Sequence, residues 1–356
     1  MGRYTPLYYL SSLGAGGLAL AFWKFGDITH FHPLVVFFEI FFWVLSIILF
    51  FVNLPFWILA LKKNYDRFFG IEIPVNGESS KRIGNPVVST GWMAMPAALV
   101  MMLNSSFAIL PTILKFPLKK VAPYGFVFWA ISFTIAVILG GQILLNTFMV
   151  TASLKEFHFG LFLQPLVYGL HAIPAVSMSG MLPEPWADIS LLLGLTSFGV
   201  GGVIGSLALI FIFERFMIYG LPEPSVAPTS LLIMPSITVY TIFVLKTMHL
   251  LAHHFHIHIH RVWFMLVSLM GIGVMGAAAT LGIIILIAYF RHHVPFGAAW
   301  WSFVCPFVAL SVLSSITYQF ANKHWLFLFT SVSSLLVVTL IYLYVGIKTL
   351  LVLKHG

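Results

Sequence analysis

One cysteine, Cys305, stands in a chain of 356 residues, so no intrachain disulfide can form and the redox compartment cannot be read. Charge is almost as scarce. Asp, Glu, Lys and Arg make up 8% of the residues against 60% hydrophobic ones, and mean hydropathy is +1.02. No soluble domain of this length has such a composition. The longest hydrophilic connection, about 62–86, is too short for a folded domain, so residues 1–356 read as a single transmembrane domain with no soluble domain. The first apolar stretch lacks a basic n-region and an evident small-residue cleavage site, and no cleavable signal peptide is expected.

What is present is apolar length. With about 20 apolar residues needed per crossing, ten helices are expected at roughly 7–24, 34–61, 87–112, 124–151, 160–182, 189–218, 228–248, 262–290, 297–319 and 325–352. Prolines divide them unevenly. The third, fifth, seventh and ninth stretches carry Pro96, Pro165 with Pro174, Pro235 and Pro306, whereas Pro55 is the one proline of the even stretches. A proline inside a helix removes a backbone bond and bends the axis, which lipid tolerates only where protein or a wet cavity satisfies the freed carbonyl. The alternation predicts bent odd-numbered helices around a pore and straight even-numbered helices outside them.

The net charge of +8 sits at helix ends and in connections. With the N-terminus inside, the cytoplasmic face holds Arg3, Lys62, Lys63, Arg67, Lys81, Arg82, Lys155, Arg215, Arg291, Lys348 and Lys354. The other face holds Lys24, Lys115, Lys119, Lys120, Lys246, Arg261 and Lys323. Eleven against seven, together all 18 basic residues, predict both termini in the cytoplasm; the expected location is the plasma or inner membrane. Nucleic-acid binding has no basic patch on a soluble fold to support it.

The expected inner helices hold almost nothing ionisable: residues 87–112 and 297–319 have no Asp, Glu, Lys, Arg or His. That argues against a pump built on a carboxylate chain and for a weakly polar bore made of small residues, hydroxyls and bent backbone. Gly14, Gly16, Gly17, Ser177 and Ser179 suit such a bore; close helix packing is the alternative for each. Glu39 is the one carboxylate near the membrane interior. It either snorkels, pairs with a neighbour or couples protons. His171, between Pro165 and Pro174, is a hydrogen-bonded structural residue or a pore-lining shuttle.

His249, His253, His254, His256, His258 and His260 form a local run. His249-x3-His253-His254 has the shape of one box of a membrane di-iron enzyme, but such sites need further boxes. His30, His32, His158, His171, His292, His293, His324 and His355 have no box spacing. The metalloenzyme is therefore a distant alternative, and neither an enzyme nor a cofactor is expected. Metal binding by His254, His256, His258 and His260, alternating along one face of an extended segment, is a second option. The plainest reading puts the run in an external connection, away from the conduit.

Several segments resemble the tellurite-resistance/dicarboxylate transporter family, which includes plant slow-type anion channels and fungal malate and sulfite carriers. The stretch 221-LPEPSVAPTSLLIMPSITVYTIF-243 is similar to the family's Leu-x-Pro…Pro-Thr…Pro run. The stretch 196-TSFGVGGVIGSLALIFIFERF-216 is similar to its glycine-bearing sixth helix ending in Arg. In the ninth helix, 299-AWWSFVCPFVALSVLSSITY-318 has its Trp-Trp…Pro…Ala-Leu frame, and 85-NPVVSTGWMAMPAALVM-101 resembles the opening of its third helix.

The resemblance implies an all-α protein of five helical hairpins around a central pore, odd helices inside, assembled as a homotrimer of separate pores. It also implies transport of small inorganic or organic anions. In family channels a phenylalanine before the proline of the ninth helix plugs the pore; here that position is Cys305. Phe303 and Phe307 lie two positions away, about 200° around a helix, so neither replaces it directly. The expected pore and gate residues are Cys305, Pro306, Pro96, Pro174, Pro235, Gly16 and His171, with Glu39 and His171 as possible coupling groups. The function implied is an anion channel or channel-like transporter, the alternative a proton-coupled C4-dicarboxylate or sulfite carrier.

Overall fold

A bilayer gives the backbone no hydrogen-bonding partner, so apolar stretches of this length must satisfy their own N–H and C=O groups as helices. The computed structural model describes residues 5–30, 32–69, 90–113, 115, 117–149, 154–290 and 294–355. Ten helices follow one another: α1 Tyr9–Thr29, α2 Pro33–Phe69, α3 Ala94–Ile113, α4 Leu118–Met149, α5 Leu163–Ser179, α6 Trp186–Tyr219, α7 Ile233–His254, α8 Arg261–Phe290, α9 Val304–Phe320 and α10 Trp325–His355. There is no strand among the described residues. Helices α2 to α10 are each long and apolar enough to cross a membrane. Helix α1 runs inside the bundle, where most of its side chains meet protein rather than lipid. Arg3, Lys81, Arg82, Arg291, His292, His293 and residues 85–89 of the quoted third-helix segment lie outside the described residues.

The prolines do something other than bend the middle of each inner helix. Pro96, Pro165, Pro235 and Pro306 are each the third residue of α3, α5, α7 and α9, in the first turn. A first-turn N–H has no intrahelical acceptor, so a proline there removes little. Each of these helices is entered through a 3₁₀ turn: Gly91–Met93, Phe159–Phe162, Pro224–Leu231 and Ala298–Phe303. The turn Pro6–Tyr8 leads into α1 in the same way, with Ser11 in the proline's place. The last bond of every turn reaches back three residues, as from the Ala94 N–H to the Gly91 carbonyl and from the Val304 N–H to the Trp301 carbonyl. A proline two residues further on cannot donate to the carbonyl four before it, which favours the tighter entry. Pro174 is the interior proline of α5. Helix α4 starts earlier than expected, so Pro123 falls inside it and the even helices hold two interior prolines, Pro55 and Pro123, besides Pro33 at the first position of α2.

The odd helices run parallel and form a closed ring. Gly14 and Gly17 of α1 meet Val304 and Val308 of α9, and Trp23 of α1 donates to Thr112 of α3. Asn104 of α3 donates to the Leu170 carbonyl of α5. Ser236 and Lys246 of α7 meet Phe162 and Ser177 beside α5, and α7 packs on α9. Each even helix folds back on the odd helix of its hairpin, as Ser12–Ser46 and Phe22–Phe38 show for the antiparallel α1 and α2. Burial follows: 56–100% of the most apolar window is buried in α3, α5, α7 and α9, against 28–39% in the even helices. The faces left on α6, α8 and α10 are apolar, with Leu192, Met270 and Leu340 all more than 60% exposed.

Short hydroxyl-to-carbonyl bonds tie the helices. Ser12 and Ser46 each donate to the other's carbonyl, at 2.8 and 2.9 Å. Ser190 and Ser197 of α6 donate to Ala175 and Tyr168 of α5, and Tyr342 of α10 reaches the Ser11 carbonyl at 3.1 Å. Gly16 lies at one tight seam of this kind: a Cβ there would stand 3.0 Å from Met101 Cγ and from Ser46 Oγ. Gly16→Leu is expected to lower stability by about 1–3 kcal/mol through overpacking, read as an earlier thermal transition in detergent. Gly199→Leu, with open space where its Cβ would be, should melt like the parent.

Candidate functional site

The ring of odd helices encloses a cavity of about 830 Å³. It is lined by α1, α3, α5, α7 and α9, with Phe264 of α8 and Leu118 of α4 at its edge. On α9 the lining runs from Cys305 to Phe320, a depth of about 22 Å at 1.5 Å per residue. None of the five 3₁₀ turns lines it. Those turns and the helix starts beside them pack in a circle below it, so the cavity ends one or two turns inside the ring and opens at the C-terminal ends of the odd helices.

Its two ends differ in chemistry. The inner end is apolar, walled by Leu13, Leu166, Leu170, Val239, Val308 and Val312. Cys305, 7% exposed, and Thr238 are the exceptions there. The mouth carries Lys24, Lys246, His249, His253, Ser177 and Gln319, and no Asp or Glu is among the lining residues. Lys246 Nζ donates to Ser177 Oγ at 2.7 Å, and Ser177 passes its own proton to the Ile173 carbonyl. Lys24 pairs with Asp27 at 3.1 Å across one turn of α1.

The expected site residues separate on this geometry. Cys305, Pro174 and Pro235 line the cavity, as do Gly14, Gly17 and Ser177. The two glycines also let α1 and α9 approach, since a Cβ on either would stand 2.9 or 3.0 Å from a valine methyl. Gly16 is not a lining residue; it faces α2 and α3. Pro96 and Pro306 are buried at the helix entries, and the Pro96 carbonyl lies 3.2 Å from Ser132 Oγ. Ser179 turns back to the Val176 carbonyl.

His171 lies wholly inside the protein, away from the cavity. A carbonyl can only accept, so Nδ1 carries the proton given to the Val167 carbonyl at 2.8 Å. Nε2 then accepts from Ser132 of α4, also at 2.8 Å. Trp129 donates to the His171 carbonyl at 2.9 Å. The ring is a staple between α4 and α5, with both nitrogens spent. Glu39 is buried in α2, and neither oxygen has a hydrogen-bond partner among the described residues. It neither snorkels nor pairs, and it does not line the cavity.

The histidine run divides in two. Helix α7 extends past the expected end to His254, so His249 and His253 are helical, one turn apart, and both line the mouth. His256, His258 and His260 lie in the exposed connection, with His256 at φ 53°. The run is therefore only partly outside the cavity. The alternating extended face expected for His254 to His260 is absent, because His254 ends a helix and His256 turns left-handed. Sequence reasoning missed the lining role of His249 and His253; the Lys246–His249–His253 spacing, i, i+3 and i+7 along one helical face, was the signal available. Among the described residues no three His, Cys, Asp or Glu side chains converge as a metal site.

Below the closed end, His158 Nδ1 accepts the Gly160 N–H at 3.0 Å and lies 3.4 Å from Thr229 Oγ1. This joins the turn before α5 to the turn before α7. Arg215 of α6 donates nearby to the Lys155 and Gly220 carbonyls.

A closed ring of parallel helices, each shielded by its hairpin partner and surrounding a cavity with a cationic mouth, defines a polytopic membrane transport protein. The family model for voltage-dependent anion channels (SLAC1) matches residues 3–350, and the chain belongs to that family. A search of the curated proteins found no match. The match covers nearly the whole chain and identifies an anion-transport protein of the membrane.

Burial and the Arg215 guanidinium push His158 down to about 4 from 6.5. The imidazole stays neutral in the folded protein, while the unfolded chain protonates it below about 6.5. The unfolded state then binds more protons, so stability is lost as pH falls from about 6.5 towards 4. Thermal melts at pH 7 and pH 5 should show a smaller acid-induced loss for His158→Gln than for the parent.

Proposed function

We propose that the cavity is the anion conduit of each protomer, and that the protein is an anion channel or channel-like anion transporter. One observation carries the reading: the charged side chains on the lining are Lys24 and Lys246, and no carboxylate lines it. Helix polarity supports it. Five parallel helices direct their N-termini to the closed end, where their partial positive charges add. The first N–H of α1, α3, α5 and α9, and the Leu232 N–H just before α7, are already bonded to their 3₁₀ turns, which leaves fewer free donors to hold an anion there. Small anions are the transported class. A homotrimer in the plasma or inner membrane, with both termini cytoplasmic, accords with the apolar outer faces and the basic-residue count.

The carrier reading requires an ionisable coupling group on the path. Its two candidates, Glu39 and His171, both lie off the lining, which favours passive conduction. In purified protein reconstituted into bilayers, reversal potentials should follow the anion gradient. Currents that follow potassium or sodium would remove the proposal. At about 6 Å and an effective dielectric constant of about 40, one positive charge favours a monovalent anion by about 1.4 kcal/mol. Lys246→Gln should therefore reduce anion conductance by up to about tenfold at low salt, with less effect at high salt.

Cys305 marks the narrow end. A phenyl ring there occupies far more volume than a thiol, so Cys305→Phe is expected to reduce conductance. A thermal melt separates this from overpacking damage. The thiol of the parent should also react with small water-soluble thiol reagents that enter the mouth. An inert thiol together with unchanged conductance in the Phe variant would place the constriction elsewhere.

A further inference from the structure

The mouth holds two imidazoles that the anion path does not require. His249 and His253 stand one turn apart on α7, and both side chains line the cavity. Neither has a hydrogen bond or ring contact among the described residues, unlike His158, His171 and His254, which are engaged by neighbours. Residues four apart on a helix have their Cβ atoms about 5–6 Å from each other. Two free imidazoles at that spacing can swing their nitrogens to one point about 2.0–2.1 Å from each, the ordinary bond to zinc.

We propose that His249 and His253 form a two-imidazole site for a borderline divalent transition cation, Zn²⁺, Cu²⁺ or Ni²⁺, at the mouth of the cavity. Nitrogen donors select against Ca²⁺ and Mg²⁺, which need oxygen ligands. No third protein ligand converges among the described residues, so water or an anion completes the coordination. Lys246, one turn before His249 and also on the lining, opposes the cation and favours an anion as its third ligand. A cation there stands at the entrance of the conduit and obstructs it. Binding itself rests on the helix geometry alone; obstruction rests also on the proposed function.

The test separates the two. Full-length protein in detergent is dialysed against zinc chloride in a non-coordinating buffer, and bound zinc is counted per chain. The expected result is one zinc lost, or weakened at least tenfold, in His249→Gln and in His253→Gln, and retained in the triple variant His256→Gln, His258→Gln, His260→Gln. Calcium chloride at the same concentration should not bind. Equal zinc binding by parent and His249→Gln, or loss of zinc in the triple variant alone, overturns the site. In bilayers, zinc added on the mouth side should block parent currents and lose potency by the same factor in His249→Gln. Zinc bound at these histidines without any block would overturn the obstruction and leave the binding site standing.

Discussion

The interior of a bilayer leaves no backbone polar group a partner outside the protein, and most of this structure follows from that constraint. It makes every crossing a helix and favours proline where a missing N–H costs little, although Pro55, Pro111, Pro123 and Pro174 stand inside their helices. Pro96, Pro165, Pro235 and Pro306 occupy the first turn of their helices. Each is preceded by a 3₁₀ turn that bonds the amide at the helix entry, that of Ala94, Leu163, Leu232 or Val304, to a carbonyl three residues back. The same constraint explains the serines. Buried Ser12, Ser46, Ser190 and Ser197 all spend their hydroxyls on carbonyls of neighbouring helices, because an unpaired hydroxyl in this setting has no water to turn to.

Hairpin pairing converts that local rule into an inner and an outer layer. An inner helix is shielded by its partner and its ring neighbours, so it tolerates glycine, serine and a lower hydropathy. Helix α1, with Gly14, Gly16 and Gly17, is the extreme case. Outer helices meet lipid and carry continuous apolar surface, such as Leu192 and Leu340. Because odd helices all cross in one direction, the layering also aligns five helix dipoles. The cavity thus inherits a positive inner end from its backbone, while at the mouth Lys246, with Lys24 paired to Asp27, sets its cation against the negative ends of those dipoles.

The cavity changes character along its length, and that change bears on how an anion could pass. At the mouth, lysine, imidazole and hydroxyl groups can replace part of a hydration shell. Deeper in, the wall is mainly leucine and valine, with the Thr238 hydroxyl and the Cys305 thiol as its polar or polarisable groups, so an ion there finds few groups to replace its hydration shell.

Hydropathy alone determined the class, the number of helices and most of their limits, since burial of about 20 apolar residues per span leaves a chain few alternatives. Motif order pointed to the family. What the sequence could not supply was the rotation of each helix about its own axis. These helices are apolar nearly all round, so no polar stripe tells which face looks inward. Gly16 and Gly17 are adjacent, yet one packs against α2 and α3 and the other lines the cavity. His171, singled out on an inner helix, turns away to Ser132, whereas His249 and His253, assigned to a connection, line the mouth. Facing is fixed by the fit of neighbouring helices, a property of side chains far apart in the chain, and only the tertiary structure decides it.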